Sequence, residues 1–314
     1  MKAAVLANRG FEIRDVEEPV CGDGEILVKT LGCGICSGDL HLYRTRSEFA
    51  GEELWLGHEA SGIVSAVGEQ VSGVSTGDLI TALGKPAYAE YFVTKPQFTA
   101  KLPPAIDPLY ALGEPVGCCV HAGNRFDTKQ GDKVALIGCG FMGLICGQIA
   151  RYQGADFILA IDPLRYRRDM GERLLAATSI DPVSRNADEI LRLYGDFDIV
   201  IEAAGSQSAL DLSTNLVKKH GRIILVGYHQ SNGGIRSVNM QQWNYKAIDV
   251  INGHVRRDDE KAEAMRQGMK LMESGHIKTK PLVSIYALDQ VEQAFRDLSD
   301  GKPGLWKAVL RMES

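Results

Sequence analysis

The stretch from Lys133 to Asp162 constrains this chain more than any other. Lys133 to Ile137 is a short apolar run suited to a buried strand, Gly138-Cys139-Gly140-Phe141-Met142-Gly143 follows it directly, and Leu144 to Tyr152 continues with helical composition. A second apolar run, Phe157 to Ile161, ends at Asp162, 19 residues past Gly143. A G-x-G-x-x-G between strand and helix is the dinucleotide-binding turn. Its first glycine permits the tight turn, its second lets the backbone approach a pyrophosphate, and its third allows close helix–strand packing. The helix N-terminus adds free N–H groups and a positive dipole end. Asp162 can accept hydrogen bonds from the adenosine ribose hydroxyls and would repel a 2′-phosphate, so the expected cofactor is NAD rather than NADP. Arg165, Arg167 and Arg168 just beyond it read as a solvated helix face that could soften that preference. The expected cofactor contacts are Gly138, Gly140, Phe141, Met142, Gly143 and Asp162.

The rhythm continues after this unit. Asp198 to Ile201 and Arg222 to Val226 are further buried-looking strands, with a helical stretch from Ala209 to Lys218 between them, capped by His220-Gly221. Such alternation predicts a doubly wound parallel sheet. The first part of the chain is different. Lys2 to Leu6, Glu25 to Leu31, Ser61 to Val67 and Tyr91 to Val93 read as strands, and turn signals such as Gly22-Asp23-Gly24 and Gly77-Asp78 separate them. This predicts a mainly β module up to about Pro115. Near the end, Glu260 to Glu273 and Leu288 to Ser299 have helical spacing, and Ala308 to Arg311 returns to strand character.

Charge and composition then remove whole classes of function. The chain has 314 residues, and 35 Lys and Arg against 40 Asp and Glu leave a net charge of −5. There is no basic footprint for nucleic acid and no polybasic membrane patch. The longest uncharged run, Val134 to Ala150, is too short to span a bilayer, and the N-terminal segment meets Arg9 before an export signal could form. The seven cysteines are odd in number and include the close pairs Cys33/Cys36 and Cys118/Cys119. That usage suits a reducing compartment, so the expectation is a cytoplasmic protein with a small-molecule partner.

Two of those cysteines matter for chemistry. Cys36 in GCGICSGDLH and His58 in GHEASG are a thiolate donor and an imidazole donor, with Glu59 beside the latter. A catalytic zinc needs three protein ligands of these types and one open position. Glu59 or Glu114 can supply the third, with Cys118 and Cys119 as weaker rivals. A structural zinc site or a redox pair at Cys33-x-x-Cys36 fits less well, because no second C-x-x-C or H-x-x-x-H occurs and the neighbourhood is strand-like. Cys33 is therefore assigned to packing.

In order and spacing these signals resemble the zinc-dependent alcohol/polyol dehydrogenase branch of the medium-chain dehydrogenase/reductase family. The match runs nearly end to end: Glu18-Pro19, GxCxxDLH from Gly34 to His41, GHE from Gly57 to Glu59, the turn Gly77-Asp78, AEY from Ala89 to Tyr91, Glu114-Pro115 with Val120-His121-Ala122, GxGxxG, and EAAG from Glu202 to Gly205. Glu114-Pro115 is similar to the sorbitol dehydrogenase side of the family. The resemblance implies a Rossmann doubly wound parallel sheet inserted in a GroES-like β-rich catalytic domain. Residues 1–116 and 254–314 would form the catalytic part and residues 117–253 the NAD-binding part. It further implies one catalytic zinc on Cys36 and His58, with Glu59 and Glu114 as ligands or holding a zinc-bound water, and Asp39 behind them. His41 would pass the alcohol proton toward solvent, Gly205 would lie near the nicotinamide, and the chain would assemble as a dimer or tetramer.

Two departures bear on these expectations. The family usually has Ser or Thr two residues after the first zinc cysteine, whereas this chain has Gly38 there and its hydroxyl at Ser37. The family also often carries a four-cysteine zinc lobe between the GD turn and AEY. No cysteine lies between Asp78 and Tyr88, so no structural zinc is expected. The implied reaction is reversible hydride transfer between NAD(H) and a secondary alcohol or ketone, placed among polyols, cyclitols or sugar-derived compounds, with Ser37, His41 and Glu114 handling the proton. The rival readings are a non-catalytic NAD-binding structural or sensory protein on the same fold and, more weakly, a zinc-free NADPH-dependent quinone or enoyl reductase.

Overall fold

The computed structural model describes residues 1–49 and 51–312. The chain divides into two compact units: Met1–Gly117 with Arg257–Gly275 and Thr279–Ser314, and Cys118–Arg256 with His276–Lys278. Among the described residues no helix is long and apolar enough to cross a membrane.

The first unit opens with strands β1 (Lys2–Ala7), β2 (Gly10–Asp15) and β3 (Ile26–Gly34), then helix α1 (Ser37–Arg44). Strands β4 (Leu54–Trp55), β5 (Glu59–Val67), β6 (Leu79–Ala82), β7 (Tyr91–Thr94) and β8 (Thr99–Lys101) follow, and then helix α2 (Gly113–Phe126), within which the division at Gly117/Cys118 falls. The antiparallel register of β3 with β5 sets Gly34 opposite Glu59 and Cys33 opposite Ala60. The last turn of β3 is thereby laid beside the first residue of β5, and that pairing builds the site below.

The second unit is the parallel sheet. Its strands are β9 (Lys133–Ile137), β10 (Phe157–Ile161), β11 (Thr178–Ile180), β12 (Phe197–Glu202), β13 (Val217–Leu225) and β14 (Asp249–Asn252), in the order β11-β10-β9-β12-β13-β14. Helices α3 (Phe141–Gln153), α4 (Arg165–Leu175), α5 (Ala187–Tyr194), α6 (Gln207–Leu216) and α7 (Met240–Lys246) belong to the same unit. Strands β9, β10 and β12 are almost wholly buried, which is why they read as continuous apolar runs. The chain order reverses between β9 and β12, the topological switch point at which this fold opens a crevice. One boundary differs from the sequence reading: α6 stops at Leu216, and Val217 is already extended and fully buried. A β-branched side chain gains more from the sheet interior than from another helical turn. His220, at φ 56°, then turns the chain inside β13 rather than capping the helix.

The chain returns to the first unit with helix α8 (Asp258–Glu273), strand β15 (Val283–Ala287), helix α9 (Val291–Ser299) and strand β16 (Lys307–Arg311). Strand β16 pairs antiparallel with β3, setting Val309 opposite Gly34. Three strands distant in sequence, β16, β3 and β5, thus lie side by side.

Candidate functional site

The first site grows out of that strand triplet. Chain leaving β3 turns at Ile35, and Cys36 becomes the N-cap of α1, its Sγ accepting from the Gly38 N–H at 3.4 Å. The register places Glu59 across from Gly34, and a Cβ added at Gly34 would collide with Glu59 Oε2. Gly34 is therefore the gap into which the buried Glu59 side chain folds. Donor atoms of Cys36, His58 and Glu59 all lie within 4.8 Å of one another. From β16, Lys307 reaches the same place and sets Nζ 2.7 Å from Glu59 Oε1 and 2.5 Å from Oε2.

Behind His58 stands Asp39, which is 2% exposed. The Tyr88 hydroxyl donates to Asp39 Oδ2 at 2.7 Å, and that oxygen lies 3.6 Å from His58 Nδ1. Nδ1 is buried and makes no hydrogen bond. Burial, with Glu59's charge adding to it and Lys307 opposing, pushes the Cys36 thiol up to about 12. Burial likewise raises Glu59 although Lys307 opposes it, while for Lys307 desolvation, which would lower it, is outweighed by the charges of Glu59, Cys36 and Glu114 together with the hydrogen bond to Glu59, so the ammonium is raised. A cysteine, a histidine and a carboxylate that converge in a buried site, with a thiol that stays protonated unless a cation is present, form a donor set suited to zinc.

The other residues expected at this site fall into two groups. Glu114, in the first turn of α2, is buried and pairs with Lys261 of α8 at 3.2 Å, and it is not one of the three donors that converge. Its charge still raises both Glu59 and Cys36. Ser37 and His41 lie one turn apart on α1, both exposed. At Gly38 an added Cβ would meet nothing within 4 Å except Cys36 Sγ, at 3.7 Å. The space that a Ser or Thr would fill is open. Cys33 is fully buried, and Cys119 donates to the Met142 carbonyl at 3.5 Å. Neither it nor Cys118 joins the converging donors.

The second site lies in the parallel-sheet unit, in a cavity of about 680 Å³ lined by Gly138, Gly140, Asp162, Arg167, Ala203 and Ser206 among others. The three glycines have distinct physical reasons. Gly138 has φ +98°, and a Cβ there would come within 2.9 Å of the Ala203–Ala204 backbone; one on Gly143 would overlap the Gly138 carbonyl. Gly140 has open space where a Cβ would point, and as the N-cap of α3 it offers no side chain to the first N–H groups of the helix. A helix N-terminus without a side-chain cap is a position suited to an anion. Asp162 is only 3% exposed: Oδ2 accepts from the Cys139 N–H and Oδ1 from the Leu164 N–H, both at 2.9 Å. Arg167 Nη1 stands 3.9 Å from Oδ2. Phe141, Met142, Gly143 and Gly205 do not line the cavity, although Ala203, Ala204 and Ser206 around Gly205 do.

Lys307, Lys261 and Tyr88 were not singled out as site residues by the sequence, and Arg167, expected on a solvated helix face, instead lines the cavity beside Asp162. The usable signal was the lysine of Leu305-Trp306-Lys307-Ala308-Val309-Leu310, a charge inside an apolar strand. Such a residue is buried only with a partner.

Comparison with known proteins agrees with this architecture. Residues 22–104 match the alcohol dehydrogenase GroES-like domain, and residues 142–274 match the zinc-binding dehydrogenase domain. The L-threonine 3-dehydrogenase of Idiomarina loihiensis is 26% identical over 98% of both chains, and that of Yersinia pestis 27% over 97% of both. Among solved structures, an oxidoreductase/dehydrogenase of unknown specificity from Escherichia coli superposes with a TM-score of 0.89 at 26% identity, covering 100% of this chain and 99% of the other. A zinc-binding dehydrogenase from Sinorhizobium meliloti bound to NADP gives 0.88 at 25% identity, covering 99% and 98%. With its GroES-like and Rossmann-type parts both matched, the chain belongs to the zinc-dependent medium-chain dehydrogenase/reductase family.

Proposed function

We propose that the protein is an NAD-dependent dehydrogenase of secondary alcohols, with one catalytic zinc and no structural zinc. The reading rests above all on the convergence of Cys36, His58 and Glu59 within 4.8 Å. On it, residues 1–116 and 254–314 are the catalytic part and residues 117–253 the NAD-binding part. Bound zinc supplies a Lewis acid for the alcohol oxygen and bound NAD a hydride acceptor.

The chain's own residues do the rest. Cys36, His58 and Glu59 hold the metal, and His58 uses Nε2 because its Nδ1 faces Asp39. Tyr88 fixes Asp39, whose carboxylate faces the ring nitrogen at 3.6 Å. Lys307 balances Glu59. Ser37 or His41, or a water held by Glu114, would carry the alcohol proton out in place of the hydroxyl that Gly38 lacks. At the second site the N–H groups opening α3 would bind the pyrophosphate, with Gly138, Gly140, Phe141, Met142 and Gly143 forming the turn and Gly205 lying near the nicotinamide side. Asp162 keeps lone pairs for the ribose hydroxyls, which favours NAD.

Polyols, cyclitols and sugar-derived alcohols are the proposed substrates. Threonine, named in the L-threonine 3-dehydrogenases, likewise carries its hydroxyl on a secondary carbon. A dimer or tetramer working in the cytoplasm completes the reading. The test is NADH formation from NAD across polyols, cyclitols, threonine and simple secondary alcohols, before and after zinc removal by a chelator. Activity that disappears with the metal and returns with zinc is expected. Turnover that persists without metal would refute the mechanism.

A further inference from the structure

Glu202, at the end of β12, is completely buried. Its Oε1 accepts the Ala204 N–H at 2.9 Å and the Gly205 N–H at 2.7 Å, and its Oε2 lies 3.0 Å from His229 Nε2. The other nitrogen of His229, Nδ1, lies 2.9 Å from Arg236 Nε. A guanidinium can only donate. His229 Nδ1 must therefore be the acceptor, Nε2 must carry the proton, and the ring is neutral and donates to Glu202.

Arg236 has no donor to spare. Its five N–H groups meet His229 Nδ1, the carbonyls of Ser231, Ile235 and Gly205, and the Ser231 hydroxyl, at 2.7 to 3.1 Å. An arginine so occupied is not offered to a ligand. Its bonds join the loop after β13, residues 227 to 237, to the loop after β12, where Ala203, Ala204 and Ser206 line the cofactor cavity. Where the loops meet, a Cβ on Gly227 would collide with the Gly205 amide and fall 2.6 Å from Glu202 Oε2.

We infer that His229 and Arg236 are positioning residues for the cofactor: through Glu202 they set the wall of the cavity formed by residues 203 to 206, without touching the cofactor. The inference rests on the NAD reading above. NADH binding is titrated by fluorescence in the zinc-loaded parent, His229→Leu, His229→Gln and Arg236→Leu, and the KM for NAD is set against kcat. Expected is a roughly tenfold or greater rise in Kd and in KM for NAD in the two Leu variants, the scale of a lost hydrogen bond to a buried charged group. The KM for alcohol and the zinc content should stay unchanged. His229→Gln, whose amide can still donate to Glu202, should recover most of the binding. Kd values within twofold of the parent in both Leu variants would overturn the inference. A parent that binds no NAD(H) would instead refute the cofactor reading. Should the Leu variants fail to fold, nitrogen-15 spectra of the parent at pH 8 decide: a neutral Nε2–H tautomer for His229 supports the network, and an Nδ1–H tautomer overturns it.

Discussion

Lys307→Met removes one charge from a buried pair and keeps the aliphatic stem, so its effect reports what the lysine does for Glu59. Lys307 and Glu59 have side chains 9% and 2% exposed, so neither charge is screened by water. Breaking such a pair costs about 3–5 kcal/mol when the survivor stays ionised. Glu59 has an escape, because it can take up a proton. At 1.36 kcal/mol per pH unit, the interval from its ordinary value of 4.5 to pH 7 sets a ceiling of about 3.4 kcal/mol on that route. The loss expected in zinc-free protein at pH 7 is therefore about 3 kcal/mol. The sign follows from linkage: a carboxyl raised in the folded state holds its proton there after the unfolded chain has released it. The penalty thus grows as pH rises above 4.5 and falls below about 1 kcal/mol near pH 5. Zinc bound through Glu59 supplies the missing positive charge, so the loss should shrink in the zinc-loaded protein and zinc affinity should rise. Urea unfolding at pH 5 and pH 7, with and without zinc, makes the measurement. A loss of equal size in all four conditions would show that Lys307 acts by packing alone, and the electrostatic account of the site would fall.

The cofactor glycines should separate in a paired test. Gly143→Ala forces a Cβ onto the Gly138 carbonyl and should lower stability by about 3 kcal/mol or more, whereas Gly140→Ala points into open space and should fold normally yet bind NADH more weakly; thermal unfolding and NADH titration distinguish them. Cys36→Ser should remove bound zinc and turnover while leaving NADH affinity within about twofold, as read by metal analysis and fluorescence. Glu292, at the start of α9, accepts from the Phe11 N–H at 2.9 Å, the Tyr43 hydroxyl at 2.7 Å and Arg296 at 3.0 Å, and so ties α1 to the start of β2. Burial alone would raise its carboxyl, but these donors outweigh it and hold the group low. A depressed acid stabilises above its unfolded value and loses that contribution as pH falls through its folded value. Glu292→Gln should accordingly cost about 1 kcal/mol at pH 7, and the difference should shrink in urea titrations as pH falls below the ordinary carboxyl value of 4.5.

What the sequence made legible was local. Lys133 to Ile137 and Phe157 to Ile161 coincide with β9 and β10 residue for residue, because a strand buried on both faces must be apolar throughout. The glycine turn and Asp162 sit within a few residues of those strands, so spacing alone located them. Cys36 and His58 were readable for a different reason: each is a donor type that zinc requires, and cysteine and histidine occur only seven times each in the chain, whereas the third donor stayed open between Glu59 and Glu114. What stayed hidden depends on pairing between remote segments. Lys307 reaches Glu59 only because β16 lies against β3 and β3 against β5, a register across nearly the whole chain.

Asp162 illustrates the same boundary from the other side. Its position at the end of β10 was predictable, yet its two carboxylate oxygens already accept backbone N–H groups, which no spacing rule reveals. The aspartate therefore does two jobs with one charge: it closes the glycine turn through Cys139 and leaves its remaining lone pairs to the cavity. Replacing it with asparagine would be more than a change of cofactor preference. An amide keeps one carbonyl acceptor and turns the other position into a donor, so it can satisfy the Cys139 N–H or the Leu164 N–H but not both. The glycine turn and Asp162 are one structural unit, so on the proposed NAD reading a substitution aimed at the pyrophosphate turn or at the ribose contact must disturb both.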